Sequence, residues 1–155
     1  MISFLSAATV FIISTLPIVE RSALPLALHV YHLPLVLALL LVVIGNVFPA
    51  IAIVYLLDPV MNWLGTYIPA VHRFASVILA GLRRKVHPFV SRFGTVGLLI
   101  FVAIPTPITG AWTGSAAAAM LGMEKKRAAG AIALGALIAN LLILAADYGY
   151  VNLMR

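Results

Sequence analysis

Long apolar stretches alternate along this chain with short segments rich in proline and charge. Residues 33–57 and 128–146 carry no charged side chain, and each comes close to or exceeds the roughly 20 apolar residues that a spanning helix needs. Between them, residues 59–93 place apolar side chains at three- and four-residue steps among five basic residues. That pattern predicts an amphipathic helix on the membrane surface, with a solvated connector as the alternative. The sequence therefore predicts an all-α integral membrane protein.

Residues 94–123 are too short for two full crossings, and their middle is built to break a helix. Residues 105–114 contain two prolines and two glycines, which remove backbone donors and permit unusual dihedrals. A single crossing would put the basic groups 83–85 and 125–127 on opposite sides, against the positive-inside rule. We therefore predict a re-entrant helical hairpin that enters from the cytoplasm, turns near the midplane and leaves on the same side.

The N-terminal half follows the same order, with a broken segment before a full span. An apolar stretch leads into residues 17–25, which hold two prolines and an acid–base pair. We predict a single multi-pass domain built as an inverted repeat, in which a cytoplasmic linker, residues 58–93, joins repeats at 1–57 and 94–147. The alternative is that residues 2–19 form an ordinary spanning helix with a cytoplasmic N-terminus.

The composition agrees with this interpretation and argues against several classes of function. Hydrophobic residues make up 64% of the chain and charged residues only 9%, far below the roughly one quarter of a soluble domain. The net charge of +6 lies in blocks beside apolar segments, which is typical of cytoplasmic membrane loops rather than of nucleic-acid binding. The chain lacks cysteine, its four histidines have no clustered carboxylates, and no nucleophile–base pair is visible. We therefore expect no metal, no cofactor and no enzymatic activity. We expect the protein to lie in a prokaryotic cell membrane.

Glu20 and Arg21 are the first candidate site residues, because they are the only charges before Asp58. An ionisable residue inside a membrane is costly and indicates function by default. A backbone broken between two prolines, the second being Pro25, lets both side chains face one cavity. The alternative is that both lie at the interface and only anchor the chain.

The second break offers hydroxyls, glycines and one tryptophan, followed by a short helix. The N-terminus of such a helix has free N–H groups and a favourable dipole, so it suits an anion; close packing of small residues is the alternative. Asn46 and Asn140 are polar residues within the two full spans. We expect them to form hydrogen bonds between helices, and contact with the substrate is the alternative. Asp147 is expected at the interface. The candidate substrate-binding residues are Glu20, Arg21, Pro25, Asn46, Pro105, Pro107, Thr109, Gly110, Trp112, Thr113 and Gly114.

At these positions the sequence resembles the family of small multi-drug export proteins, over roughly residues 19–146. The matching elements are FVAIPTPITGAWTG at 101–114, Glu20-Arg21 with Pro25, and Gly45-Asn46 with Pro49. One departure is Ile108, where the family usually has glycine. The family is also similar in plan to DedA-type membrane proteins, which have paired re-entrant hairpins and are associated with moving lipid head groups.

The resemblance implies transport, and three hypotheses remain. The first is a transporter or lipid flippase that moves an anionic lipid head group or an amphipathic solute between two hairpin tips. The second is a proton-coupled exporter of cationic drugs that uses Glu20, and the third is a membrane scaffold without transport. The expected partners are the lipid bilayer, a small amphipathic or lipid-phosphate substrate, a coupling proton or ion, and a second copy in a homodimer.

Overall fold

The computed structural model describes residues 4–16, 22–106 and 110–153, and all regular structure in these residues is helical. The helices are α1 (Phe4–Ser14), α2 (Ala23–His29), α3 (Leu35–Tyr67), α4 (Pro69–Ala103), α5 (Ala111–Met120) and α6 (Lys125–Leu153). Helix α4 is broken at Gly94, whose φ of 55° lies in the left-handed region that favours glycine. The prediction of an all-α fold is confirmed.

Two helices in the described part of the chain are long and apolar enough to cross a membrane, Leu35–Tyr67 and Lys125–Gly149. They contain nearly all of both predicted spans. Helix α3 continues past the predicted end at residue 57, through Pro59, and the basic helix begins only at Pro69. A proline keeps a helical φ and removes one backbone donor, so the sequence signal marked the end of the apolar stretch rather than the end of the helix.

Helices α3 and α6 run in opposite directions. At one end of the bundle, the Lys125 Nζ lies 5.3 Å from the centroid of the Tyr55 ring. At the other end, Leu35 and Asp147 line the same pocket. At 1.5 Å per residue both pairs of ends are about 30–33 Å apart, which is the thickness of the hydrocarbon core of a bilayer. We refer to these as the lysine end and the aspartate end.

Two other apolar helices are only about a third as long as α3 and α6. Helix α1 has 11 residues and α5 has 10, so each is only about 15–16 Å long. Helix α1 ends against the middle of α3, where a Cβ on Gly45 would overlap the Ser14 hydroxyl. The last part of α4, residues 95–103, lies beside α5, because a Cβ on Gly114 would clash with Val102. Both breaks therefore occur well inside the length of α3 and α6.

Small residues form much of the interior. One core cluster joins the middle of α3 and the end of α4 with α5 and α6, and seven of its twelve buried residues are alanine. Such residues let membrane helices approach closely. The basic part of α4, in contrast, exposes apolar side chains such as Phe74 and Val77 beside Arg73, which is exposed as well. That arrangement agrees with a surface helix, and its position on a membrane stays a prediction.

Candidate functional site

The two helix breaks, which are far apart in sequence, meet inside the bundle. The indole Nε1 of Trp112, on the first turn of α5, donates a hydrogen bond of 3.2 Å to the carbonyl oxygen of Thr15, directly after α1. These residues are 97 positions apart. The sequence predicted two separate breaks, and the structure brings their described ends into contact.

Helices α3 and α6 each add one buried asparagine at this place. Asn46 is 6% exposed and Asn140 is 2% exposed. Asn46 lies about 16 Å along α3 from Leu35, and Asn140 lies about 22 Å along α6 from Lys125, at 1.5 Å per residue. Both amides are therefore deep inside a hydrocarbon layer of about 30 Å.

A small cavity separates the two asparagines. The volume open to the centre of a water molecule is about 10 Å³, which is room for about one water. The lining comes from α3, the end of α4, the start of α5 and α6. Its residues are Asn46, Val102, Gly110, Ala111, Ala136, Ala139, Asn140 and Ile143.

Two of the residues that line the cavity have a hydrogen-bond acceptor without a partner among the described residues. Neither the Oδ1 of Asn46 nor that of Asn140 accepts a hydrogen bond from the part of the chain that the structure describes. The Nδ2 of Asn140 donates to the Ala136 carbonyl at 2.8 Å, which fixes the orientation of that amide, because a flipped amide would set two oxygens against each other. A buried polar atom without a partner costs about 1–3 kcal/mol.

Hydrogen-bond donors come from the N-terminus of α5. Its N-cap residue, Gly110, makes no side-chain cap, and the first N–H that the helix itself satisfies is that of Gly114, bonded to the Gly110 carbonyl at 2.9 Å. The start of a helix without a cap leaves N–H groups free and carries partial positive charge. We call the group of Thr15, Asn46, Gly110, Trp112 and Asn140 the central junction.

The comparison with protein families now identifies the chain's relatives. Residues 20–142 match the family described as "Putative small multi-drug export protein". The chain belongs to this family. No curated protein and no solved structure matches it. The match covers every residue of the central junction except Thr15, and it confirms the resemblance first recognised at residues 101–114. Family and apolar helices together make this a membrane protein.

The central junction unites only some of the predicted site residues of this family member. Asn46, Gly110 and Trp112 belong to it. Thr113 is adjacent, but its hydroxyl donates within its own helix, to the Gly110 carbonyl at 3.3 Å. Gly114 faces Val102 and Leu98, so it allows close packing, as the alternative interpretation of the small residues held.

The role expected of Gly110 needs correction. Its φ of 177° is extended, a conformation that any residue adopts, so the turn does not depend on a dihedral that only glycine permits. Pro25 lies at the third position of α2, half-buried, and Pro105 is exposed just after α4. Neither proline lines the cavity.

Four predicted residues, Glu20, Arg21, Pro107 and Thr109, lie outside the described residues and stay predictions. Conversely, Asn140 was absent from the candidate list, although its matching place in the second span was a usable signal. Nothing in the sequence singled out the Thr15 carbonyl, because every residue has a backbone carbonyl group.

A side-chain contact between α2 and α6 was also missed. The His29 Nε2 lies 2.7 Å from the Asp147 Oδ2, and the two residues are 118 positions apart. Asp147 was expected at the interface, and that expectation did not link it to His29. The side chain of Asp147 is only 20% exposed, whereas that of His29 is 53% exposed.

Proposed function

We propose that this small multi-drug export protein is a membrane transporter that moves an amphipathic solute past the central junction. The observation that carries the proposal is the pair of asparagine oxygens beside the cavity at the start of α5, neither of which has a partner among the described residues. A fold that served packing alone would gain stability by pairing or removing these atoms. Broken helices near the midplane are also where transporters bind their substrates.

We further propose that each break is the tip of a re-entrant hairpin and that the two hairpins are inverted relative to each other. Helix α1 ends beside Gly45, in the middle of α3, and α2 ends at His29, which pairs with Asp147 at the aspartate end. Residues 95–103 and α5 lie side by side, and Lys125 follows α5 at the lysine end. These contacts support one tip reaching the junction from each face, the plan required for alternating access.

The junction favours a substrate whose polar group both donates and accepts hydrogen bonds. The α5 N-terminus supports the expectation of an anionic group, but two amide oxygens repel a bare anion and require donors. Among the described lining residues, none carries a charge. A hydroxyl or a protonated phosphate meets both demands, and Glu20 and Arg21 stay candidates for balancing any charge.

Flux through reconstituted vesicles tests this function. We would compare a fluorescent lipid phosphate with a cationic dye, using the wild-type chain, Asn46→Leu and Asn140→Leu. Leucine keeps the branching of asparagine and removes the acceptor, so we expect flux of the transported probe to fall at least tenfold in both variants.

The matched control is Ser115→Ala. Ser115 is fully buried, but its hydroxyl is satisfied within α5 by the Trp112 carbonyl at 2.7 Å, so flux should stay within twofold of wild type. Transport of either probe that is unaffected by both asparagine variants would contradict a site at the junction. Absence of flux for both probes in a folded wild-type chain would favour the scaffold hypothesis.

A further inference from the structure

A second polar place lies at the aspartate end of the bundle, away from the central junction. There a pocket of about 330 Å³ opens between α2, the start of α3 and the end of α6. This volume is within the range of small-molecule sites, at its lower limit. The residues that line it are Leu28, His29, Leu33, Leu35, Asp147 and Tyr148; we call this the end pocket.

The lining combines one acid with apolar walls and an aromatic ring. Asp147 contributes a carboxylate whose side chain is four-fifths buried, and Leu33 is 5% exposed. Tyr148 is 57% exposed, so its ring is accessible to a bound molecule. A carboxylate beside an apolar surface needs a cationic partner, and an aromatic face attracts cations.

The groups around the carboxylate exclude other ligand classes. Among the described residues, no lysine or arginine lines the end pocket, so there an anion would meet repulsion from Asp147 unless His29 were protonated. The described residues contain no group of three or more potential metal ligands, so a metal ion would lack a coordination shell. A cation with a substantial apolar body satisfies both the carboxylate and the leucines.

We propose that the end pocket binds an amphipathic organic monocation, with its charge on Asp147 and its apolar body against Leu28, Leu33 and Leu35. This site is separate from the central junction, and equilibrium binding to it does not depend on whether the chain transports anything. At the aspartate end it would be open to the aqueous face opposite Lys125.

His29 is the neighbour with which a bound cation would share Asp147. Its Nε2 lies 2.7 Å from the Asp147 Oδ2, and its side chain is 53% exposed. The cation would therefore displace His29 or contact the second carboxylate oxygen.

The test measures equilibrium binding to the full chain in detergent by calorimetry and dialysis. The probes are benzyltrimethylammonium, its uncharged carbon analogue neopentylbenzene, and benzenesulfonate. We expect the cation to bind at least tenfold more tightly than either other probe. Equal binding of the cation and the uncharged analogue would overturn the proposal.

Variants test whether the carboxylate of Asp147 binds the cation. Asp147→Asn should weaken cation binding at least tenfold, whereas the matched control Asp58→Asn, an exposed acid elsewhere on α3, should not change it. Asp147→Glu should retain binding, and this variant guards against loss of fold in Asp147→Asn. His29→Gln should retain cation binding, because the charge that binds the cation belongs to Asp147. Wild-type affinity in a folded Asp147→Asn chain would refute the site.

Discussion

The central junction and the end pocket hold polar groups in opposite ways. At the junction, Asn46 and Asn140 are neutral, deeply buried and each have one unpartnered oxygen. At the end pocket, His29 and Asp147 are ionisable, partly exposed and paired at 2.7 Å. An unpartnered amide costs about 1–3 kcal/mol when buried, but an unpartnered charge costs much more at mid-depth. Depth therefore determines the chemistry: amides can be left available in the middle of the bundle, whereas a carboxylate is placed where water and a partner are near.

The largest expected effect is a loss of stability when a side chain is added where α1 packs against α3. In Gly45→Ala, the new Cβ would overlap the Ser14 hydroxyl and lie 3.1 Å from the Phe11 carbonyl oxygen, so α1 must move. Overpacking of this kind costs up to about 3 kcal/mol, which detergent unfolding would measure. In the control, Gly130→Ala, nothing lies within 4 Å of the added Cβ; equal loss in both variants would contradict tight contact between α1 and α3.

The second-largest expected effect is a gain in stability rather than a loss. Asn46→Leu removes an unpartnered acceptor, and we expect the chain to become more stable by about 1–2 kcal/mol while its flux falls. The same substitution at Asn62, which is exposed on α3, should leave the free energy of unfolding nearly unchanged. A clear loss of stability in Asn46→Leu would mean that the amide is already paired, and the contrast with the end pocket would disappear.

A smaller effect is expected where the two breaks touch. Trp112→Phe removes the N–H that bonds to the Thr15 carbonyl, at a cost of about 1 kcal/mol, and hydrogen exchange at residues 111–114 should become faster. Trp63→Phe is the control, because Trp63 is exposed and its ring lies near that of Tyr67. Unchanged exchange in Trp112→Phe would show that the tips hold each other by other contacts.

The smallest effect is expected at the end pocket. His29→Gln replaces one member of a partly exposed pair, and because water screens such pairs the free energy of unfolding should change by less than about 1 kcal/mol. His72→Gln, on α4, is the control. A loss as large as that of Gly45→Ala would mean that the pair holds the bundle together, and the end pocket would then be a structural joint rather than an accessible site.

The apolar pattern was sufficient to predict much of this fold. Spans of about 20 uncharged residues fold as helices in a bilayer because every backbone group must be satisfied within its own segment. The break after Ala103 was equally predictable, because Pro105 removes a donor and disfavours the helical conformation of the residue before it. The end of α3 was not, since Pro59 lies inside a helix that continues to Tyr67.

The candidate site was likewise predictable in part, and the rest depended on the tertiary structure. The sequence by itself determined that Asn46, Asn140 and the segment 105–114 were unusual for a membrane protein's apolar stretches, because polar and helix-breaking residues are costly there. Only the tertiary structure decided which atoms meet: Trp112 with Thr15, Asn46 with Asn140 around one cavity, and His29 with Asp147. Local sequence sets the cost of each polar group, but its partner is chosen by packing between helices, and contacts 97 and 118 residues apart leave no periodic signal along the chain.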